Sequence, residues 1–286
     1  PAWECQDCHE WTITDGAAPL FCIKCRSKKL IQDPDTFDTW FSSGQWTFST
    51  LGFPDGEDYK YFYPLSVMET AYDILFFWVA RMIMLGIYVT DKSPFEHVYL
   101  HGLIRDSKGQ KMSKFKGNVV DPMDLVEKYG ADAVRFALMS SIGPGADQNL
   151  SDDKIRAMRN FTNKIWNIAR FILTDTNKFD RKEGSKVDKE LKESISTTVK
   201  TVNDRLTKFE LGNTAEWLYD FTWHTFADRY IELYKKGEIS YSVLSDSFLK
   251  LLKLLHPFMP FVTEEIWGIL PHEEKTPLII SSWPKA

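Results

Sequence analysis

From Ser151 to Leu173, apolar residues recur at Ile155, Met158, Phe161, Ile165, Ile168 and Ile172. Spacing of three and four residues predicts one amphipathic helix. Ser151 stands as its N-cap, and Asp152 and Asp153 complement the dipole of its first turn. Val187, Leu191, Ile195, Val199, Val202, Leu206 and Phe209 repeat the period, and Gly212-Asn-Thr214 restarts it. An aromatic helix from Ala215 to about Lys235 and another from Val243 to His256, stopped by Pro257, complete an all-α bundle over residues 149–286. His224 and His256 fall in this bundle's core or at its edge.

The pattern upstream is different. Val98, Tyr99, Leu100, Leu103 and Ile104 form a β-prone run that predicts a buried strand. Asp121 as N-cap and Pro122 at the first helical position open a helix to Tyr129, and Ala131 to Ser140 forms another beyond Gly130. Glu69 to Met84 has few breakers and reads as a buried helix. Strand and helix therefore mix in an α/β region over residues 32–148, and Gly143-Pro-Gly145 marks the boundary with the bundle.

Charge adds the first chemistry. Between strand and helix lie Lys108, Lys111, Lys114 and Lys116, with Gly109 and Gly117. Clustered ammonium groups repel unless an anion sits among them, and glycines let backbone approach such a ligand. The stretch reads either as a triphosphate-binding loop or as a solvated lysine-rich turn. On the helix opened by Ser151, Arg156, Arg159, Lys164 and Arg170 share the polar side with Asn160, Asn163 and Asn167. That face is either solvated surface or a set of phosphate contacts.

The 286 residues, 43% hydrophobic and 14% aromatic, can bury a core divided into two domains and a small satellite. The net charge of −5 does not exclude nucleic acid, because local clusters matter more than the total. Ile74 to Val89, the most apolar run, carries Arg81 and is shorter than the roughly 20 residues a bilayer span needs. The expectation is a soluble, cytoplasmic protein with no membrane partner and no secretory signal.

All four cysteines occupy the first 25 positions, as Cys5-x-x-Cys8 and Cys22-x-x-Cys25. Two such turns can converge tetrahedrally on one Zn²⁺, which replaces the core that residues 1–31 are too few to build. The alternatives are two disulfides or four free thiols. His9 is surplus to a four-cysteine site and reads as surface.

Lys111-Met-Ser-Lys114 followed by Gly117-Asn118, after His101-Gly102 at a strand end, resembles the second signature loop of class I aminoacyl-tRNA synthetases. The flanking Gly-Leu-Ile-Arg-Asp-Ser-x-Gly and Asn-Val-Val-Asp-Pro are most similar to the valyl branch, with the isoleucyl branch next, and the resemblance runs the length of the chain. It implies the C-terminal half of a Rossmann-type nucleotide-binding domain with a zinc knuckle, then a helical anticodon-binding domain. It also implies ATP with Mg²⁺, valine and tRNA(Val) as ligands, in a monomer.

Residue by residue, the resemblance makes Lys111 and Lys114 catalytic. It assigns His101, Gly102, Asp73, Met112, Ser113 and Lys114 to the nucleotide. It places Trp40, within Asp-Thr-Trp-Phe-Ser-Ser, and Trp78 at the amino-acid pocket, where ordinary core is the alternative for Trp40 and helix capping is that for Asp73. The helix bearing Arg156, Arg159, Lys164 and Arg170 resembles the one that opens the anticodon-binding bundle. Phe115 replaces a small hydroxylated residue and Ala71 a glycine. The family's first signature and an editing domain are missing, and the chain starts at Pro1, so an excised piece, inactive alone, is expected. An isoleucyl enzyme and a non-catalytic tRNA-binding module are the other readings.

Overall fold

The computed structural model describes residues 1–106, 109, 110, 112, 118–140, 143–175 and 183–286. They form two compact units: Pro1–Val67 with Asp73–His97, and Met68–Tyr72 with Val98–Ala286.

In the first unit, β1 (Ala2–Cys5) lies centrally between β2 (Trp11–Ile13) and β3 (Leu30–Gln32), antiparallel to both. Short helices α1 (Thr39–Ser43), α2 (Trp46–Ser49) and α3 (Glu57–Phe62) follow. Asp38 caps α1 by accepting the Trp40 N–H at 3.2 Å. The core here gathers Phe48, Tyr63, Val79 and Met82, and the Tyr63 hydroxyl finds Thr90 Oγ1 at 3.0 Å.

Glu69 to Ala71 is not helical. It ends strand β4 (Leu65–Ala71), in which Met68 and Thr70 are buried in alternation, and β4 pairs with β5 (Phe95–His101). A period of two had been hidden by the longer apolar run after it. The helical run begins only at Tyr72, with a 3-10 turn, then a π-helical turn over Leu75–Val79 and α4 (Ala80–Thr90). Nor is it buried: only Val79, Met82 and Gly86 are enclosed. Its 19 residues are long and apolar enough to cross a membrane by length and composition alone, yet Arg81 pairs with Asp38 at 3.1 Å.

The strand expected from Val98 to Ile104 is also interrupted. β5 stops at His101, β6 is Ile104–Arg105, and of Phe95–His101 only Phe95 is buried. The break coincides with a change of partner, since β5 pairs with β4 whereas β6 pairs with the strand at Gln148–Asn149, and the backbones come close there. A Cβ on Gly102 would lie 1.9 Å from the Ala146 carbonyl oxygen, so the backbones touch there and only glycine fits.

In the second unit, β6 pairs in parallel with β7 (Gln148–Asn149). Helix α5 (Pro122–Tyr129) begins as the Asp-Pro pair requires, with Asp121 accepting the Met123 N–H at 2.8 Å, and α6 is Ala131–Met139. Then comes the bundle: α7 (Asp152–Thr174), α8 (Lys186–Thr207), α9 (Leu211–Asp220), a π-helical stretch to Tyr230, α10 (Ile231–Lys235), α11 (Tyr241–Leu255) and α12 (Pro260–Ile269). The aromatic helix thus starts at Leu211, not Ala215, and Gly212 and Thr214 are buried inside it.

The α7 stripe is the one the period predicts. Ile155, Phe161, Ile165, Ile168 and Ile172 are buried, each side chain contributing about 1.5–3 kcal/mol. Phe161, Ile165, Ile168 and Ile172 pack with Leu191, Ile195 and Val199 of α8 and Leu251 and Leu255 of α11, while Ile155 packs with Leu125 and Tyr129 of α5 and Ala133 of α6. His224 is exposed, against expectation, because it turns toward Asp228 at 3.6 Å. His256 lies at the core's edge, with Nδ1 2.8 Å from Thr263 Oγ1, and burial lowers its pKa.

Candidate functional site

The two Cys-x-x-Cys turns share one geometry. Cys5 N–H donates to Glu10 O at 3.0 Å and His9 N–H to Cys5 O at 2.8 Å; Cys22 N–H donates to Ser27 O at 2.8 Å and Arg26 N–H to Cys22 O at 3.1 Å. In each turn the residue after the second cysteine is left-handed, His9 at φ 58° and Arg26 at φ 63°. All four Sγ atoms lie within 4.8 Å of one another, with Cys5 to Cys25 at 3.5 Å and Cys8 to Cys22 at 3.6 Å. A tetrahedron of Zn–S bonds of about 2.3 Å has edges of about 3.8 Å, so the donor set fits a metal, whereas a disulfide needs about 2.05 Å. The thiols are unbridged.

The thiols also compete for charge. The N–H groups of Cys25 and Lys24 help lower Cys22 to about 7. Cys8 gains a lowering hydrogen bond from the Glu10 backbone, but its thiol neighbours push it up to about 12. A divalent cation would remove that conflict by favouring four thiolates. His9 is exposed and bonds Glu4 at 2.9 Å, apart from the sulfur cluster.

Trp40 and Trp78 lie where α1 meets the Tyr72–Thr90 helix. The Trp40 ring is 5.9 Å from that of Phe77, and Trp78 Nε1 donates to Ser43 O at 3.0 Å. Both are half-buried, so neither is ordinary enclosed core. Asp73 is exposed in the first turn of this helix.

In the second unit, His101 ends β5, with Nδ1 2.8 Å from Gly102 O and Nε2 3.3 Å from Glu69 Oε1. Both residues border a largely apolar cavity of about 390 Å³, together with Tyr99, Gly102, Met139 and Leu211. Gly102 owes its identity to the Ala146 backbone. Lys108, Lys111, Ser113, Lys114, Phe115 and Lys116 lie outside the described residues; Met112 is described and half-buried.

What the sequence reading missed is the frame at the two ends of this loop. Asp106 accepts the Gln110 N–H at 2.8 Å and Asn118 Nδ2 at 2.9 Å. Arg105 donates through Nε to Asp147 Oδ2 at 2.6 Å, and the Leu103 N–H reaches Asp147 Oδ1 at 2.7 Å. The Leu103 N–H foremost, with Arg105, holds the Asp147 carboxyl below the ordinary range. An Arg-Asp pair just before a lysine-glycine loop was the available signal, but Asp147 is remote in sequence and gave none.

The basic face of α7 divides. Arg156 is paired with Asp153 at 3.0 Å, and Lys164 with Asp228 at 3.0 Å while lying over the Trp223 ring. Arg159 is half-buried with its guanidinium 6.0 Å from the Tyr129 ring centre, and Arg170 is exposed. At 100° per residue all four project within one side of the helix.

The chain thus joins a β-α region that ends in the lysine-loop frame to a helical bundle with a polar face. The family described as tRNA synthetases class I (I, L, M and V) matches residues 5–151, and the anticodon-binding domain of tRNA ligase matches residues 188–286. The chain belongs to that class I family. Along its length it resembles valine–tRNA ligases: it is 47% identical to that of Clostridium acetobutylicum over 99% of this chain and 34% of the relative. It is likewise 47% identical to that of Dehalococcoides mccartyi strain 195 over 100% of this chain and 34% of the relative. The chain thus spans about a third of the curated relatives it matches. The LeuRS of Agrobacterium radiobacter K84, solved with tRNA and LeuAMS, superposes with a TM-score of 0.79 at 22% identity, covering 100% of this chain and 40% of that one. Methionyl-tRNA synthetase of Mycobacterium tuberculosis, solved with methionyl-adenylate, gives 0.69 at 22% identity over 80% of this chain and 49% of that one. These two likenesses concern the fold.

Proposed function

We propose that this chain is the part of a valine–tRNA ligase that carries the lysine loop, one wall of the amino-acid site and the anticodon-binding bundle. The observation that carries the reading is 42–47% identity to valine–tRNA ligases across essentially the whole chain. The framed loop at Asp106 and Asn118, and the half-buried indoles of Trp40 against Phe77 and of Trp78 on the Ser43 carbonyl, support it. In the whole enzyme, valine's carboxylate attacks the α-phosphorus of ATP and pyrophosphate leaves; a hydroxyl of the terminal adenosine of tRNA(Val) then takes the acyl group from the valyl-adenylate, and AMP leaves. Mg²⁺ would accompany ATP and neutralise phosphate charge.

Lys111 and Lys114 act in this reading as fixed charges on the triphosphate rather than as bases. His101, held by Glu69, and Gly102 bound the nucleotide side, Asp73 takes ribose hydroxyls, and Met112 and Ser113 shape the loop. Trp40 and Trp78 limit the amino-acid pocket. Cys5, Cys8, Cys22 and Cys25 hold a structural Zn²⁺. The reaction runs in the cytoplasm.

The isolated chain tests the RNA half of this proposal. Titrated with tRNA(Val) and with an unrelated tRNA, it is expected to bind tRNA(Val) more tightly. Equal affinity for both would remove the bundle's role in choosing the tRNA.

A further inference from the structure

The segment after Gly143-Pro-Gly145 runs beside the strand that feeds the lysine loop. Gly145 N–H donates to Leu100 O at 2.8 Å, Gln148 N–H to Leu103 O at 3.1 Å and Leu150 N–H to Arg105 O at 3.2 Å. This ladder delivers Asp147 to the loop's entrance. One of its oxygens takes the Leu103 N–H, and the other takes both Nε and Nη2 of Arg105, at 2.6 and 2.5 Å. The remaining arm, Nη1, reaches the Gly109 carbonyl at 3.2 Å.

Gly109 closes the turn that starts the loop. Its N–H donates to Asp106 O at 2.9 Å and its φ is 75°. The guanidinium is planar, so fixing two of its donors on Asp147 fixes where the third points. The pair is also partly shielded, with Asp147 only 20% exposed and Arg105 35%, unlike a solvated surface ion pair.

We propose that Asp147 is a positioning residue for the lysine loop: through Arg105 it fixes the Gly109 carbonyl, and with it the direction in which the chain leaves β6. The inference rests on reading that loop as a triphosphate site. There a displacement of about 1 Å can cost about a hundredfold in rate.

The loop carries four trypsin sites, at Lys108, Lys111, Lys114 and Lys116. Their cleavage is to be compared in wild type, Asp147→Asn, Arg105→Gln and the double variant, with cleavage at Lys192 and Lys200 of α8 as the internal standard. Each single variant should speed loop cleavage about tenfold, the size of one lost charge-assisted hydrogen bond, with no change in α8. The double variant should be no faster than either single one. Equal loop rates in wild type and variants, with the fold intact, would overturn the proposal. If Asp147→Asn does not fold, Arg105→Gln decides alone, since it leaves the Leu103 hydrogen bond in place. Repeating the assay with magnesium tripolyphosphate separates the two claims. Wild type left unprotected refutes the phosphate reading, while the ratios without phosphate still decide the positioning role.

Discussion

The carboxylate of Asp106 holds Asn118 Nδ2 at 2.9 Å, so residues on either side of the lysine loop are tied by one side chain. The same carboxylate takes the Gln110 N–H at 2.8 Å. The loop's span is therefore set by its frame. Asn118→Ala should raise the concentration of ATP needed for half-maximal protection from trypsin about fivefold or more, as expected when a hydrogen bond to a charged group is lost. An unchanged midpoint would show that the frame does not act on the nucleotide.

The metal knuckle offers a test through its backbone. His9 and Arg26 occupy left-handed positions that cost an L-residue roughly 1–2 kcal/mol each. His9→Gly and Arg26→Gly should raise the chelator concentration needed to extract zinc, because the strain they relieve belongs to the folded knuckle. The exposed His9–Glu4 contact offsets little of this. Elemental analysis should find one zinc per chain, lost in Cys22→Ser; a folded, metal-free wild type would refute the site.

Asp188 shows how a carboxylate can join two helices. It takes N–H groups of Gly184 and Ser185 at the start of α8 and of Ser240 at the start of α11, while only 1% exposed. Burial works to raise its pKa, but those donors win and lower it. Its folded pKa thus lies below its unfolded one. Its contribution is complete above the unfolded pKa and is lost as pH falls through the folded value. Asp188→Ala should cost about 2 kcal/mol in urea unfolding at pH 7, the upper range for a lost cap, and less in acid. A cost independent of pH would contradict this.

The divided face of α7 sharpens the RNA prediction. Arg170 is exposed, whereas Arg156 and Lys164 already have carboxylate partners. Arg170→Ala should reduce the log–log salt slope of tRNA binding by about 0.7 to 0.9, and Arg156→Ala by less. Identical slopes for wild type and Arg170→Ala would mark this face as solvated surface.

Periodicity and caps made the bundle legible. The α7 stripe, the Ser151 cap, with Oγ 3.2 Å from the Lys154 N–H, and the Asp121-Pro122 start all stand where the sequence placed them. The cysteine spacing likewise announced the converged thiols. Strand β4 was hidden because its alternation at Met68 and Thr70 runs straight into an apolar helix. The loop frame was hidden for a different reason. Asp147 meets Arg105 only through a parallel ladder that no local pattern encodes.

The most direct measurement is valine-dependent ATP–pyrophosphate exchange by a chimera in which this chain replaces the matching third of the Clostridium acetobutylicum valine–tRNA ligase. The account predicts exchange driven by valine in preference to isoleucine, slowed about a hundredfold by Lys114→Ala through the rate rather than through valine affinity. A folded chimera that binds tRNA but forms no adenylate, or that forms it with isoleucine in preference to valine, would contradict the account.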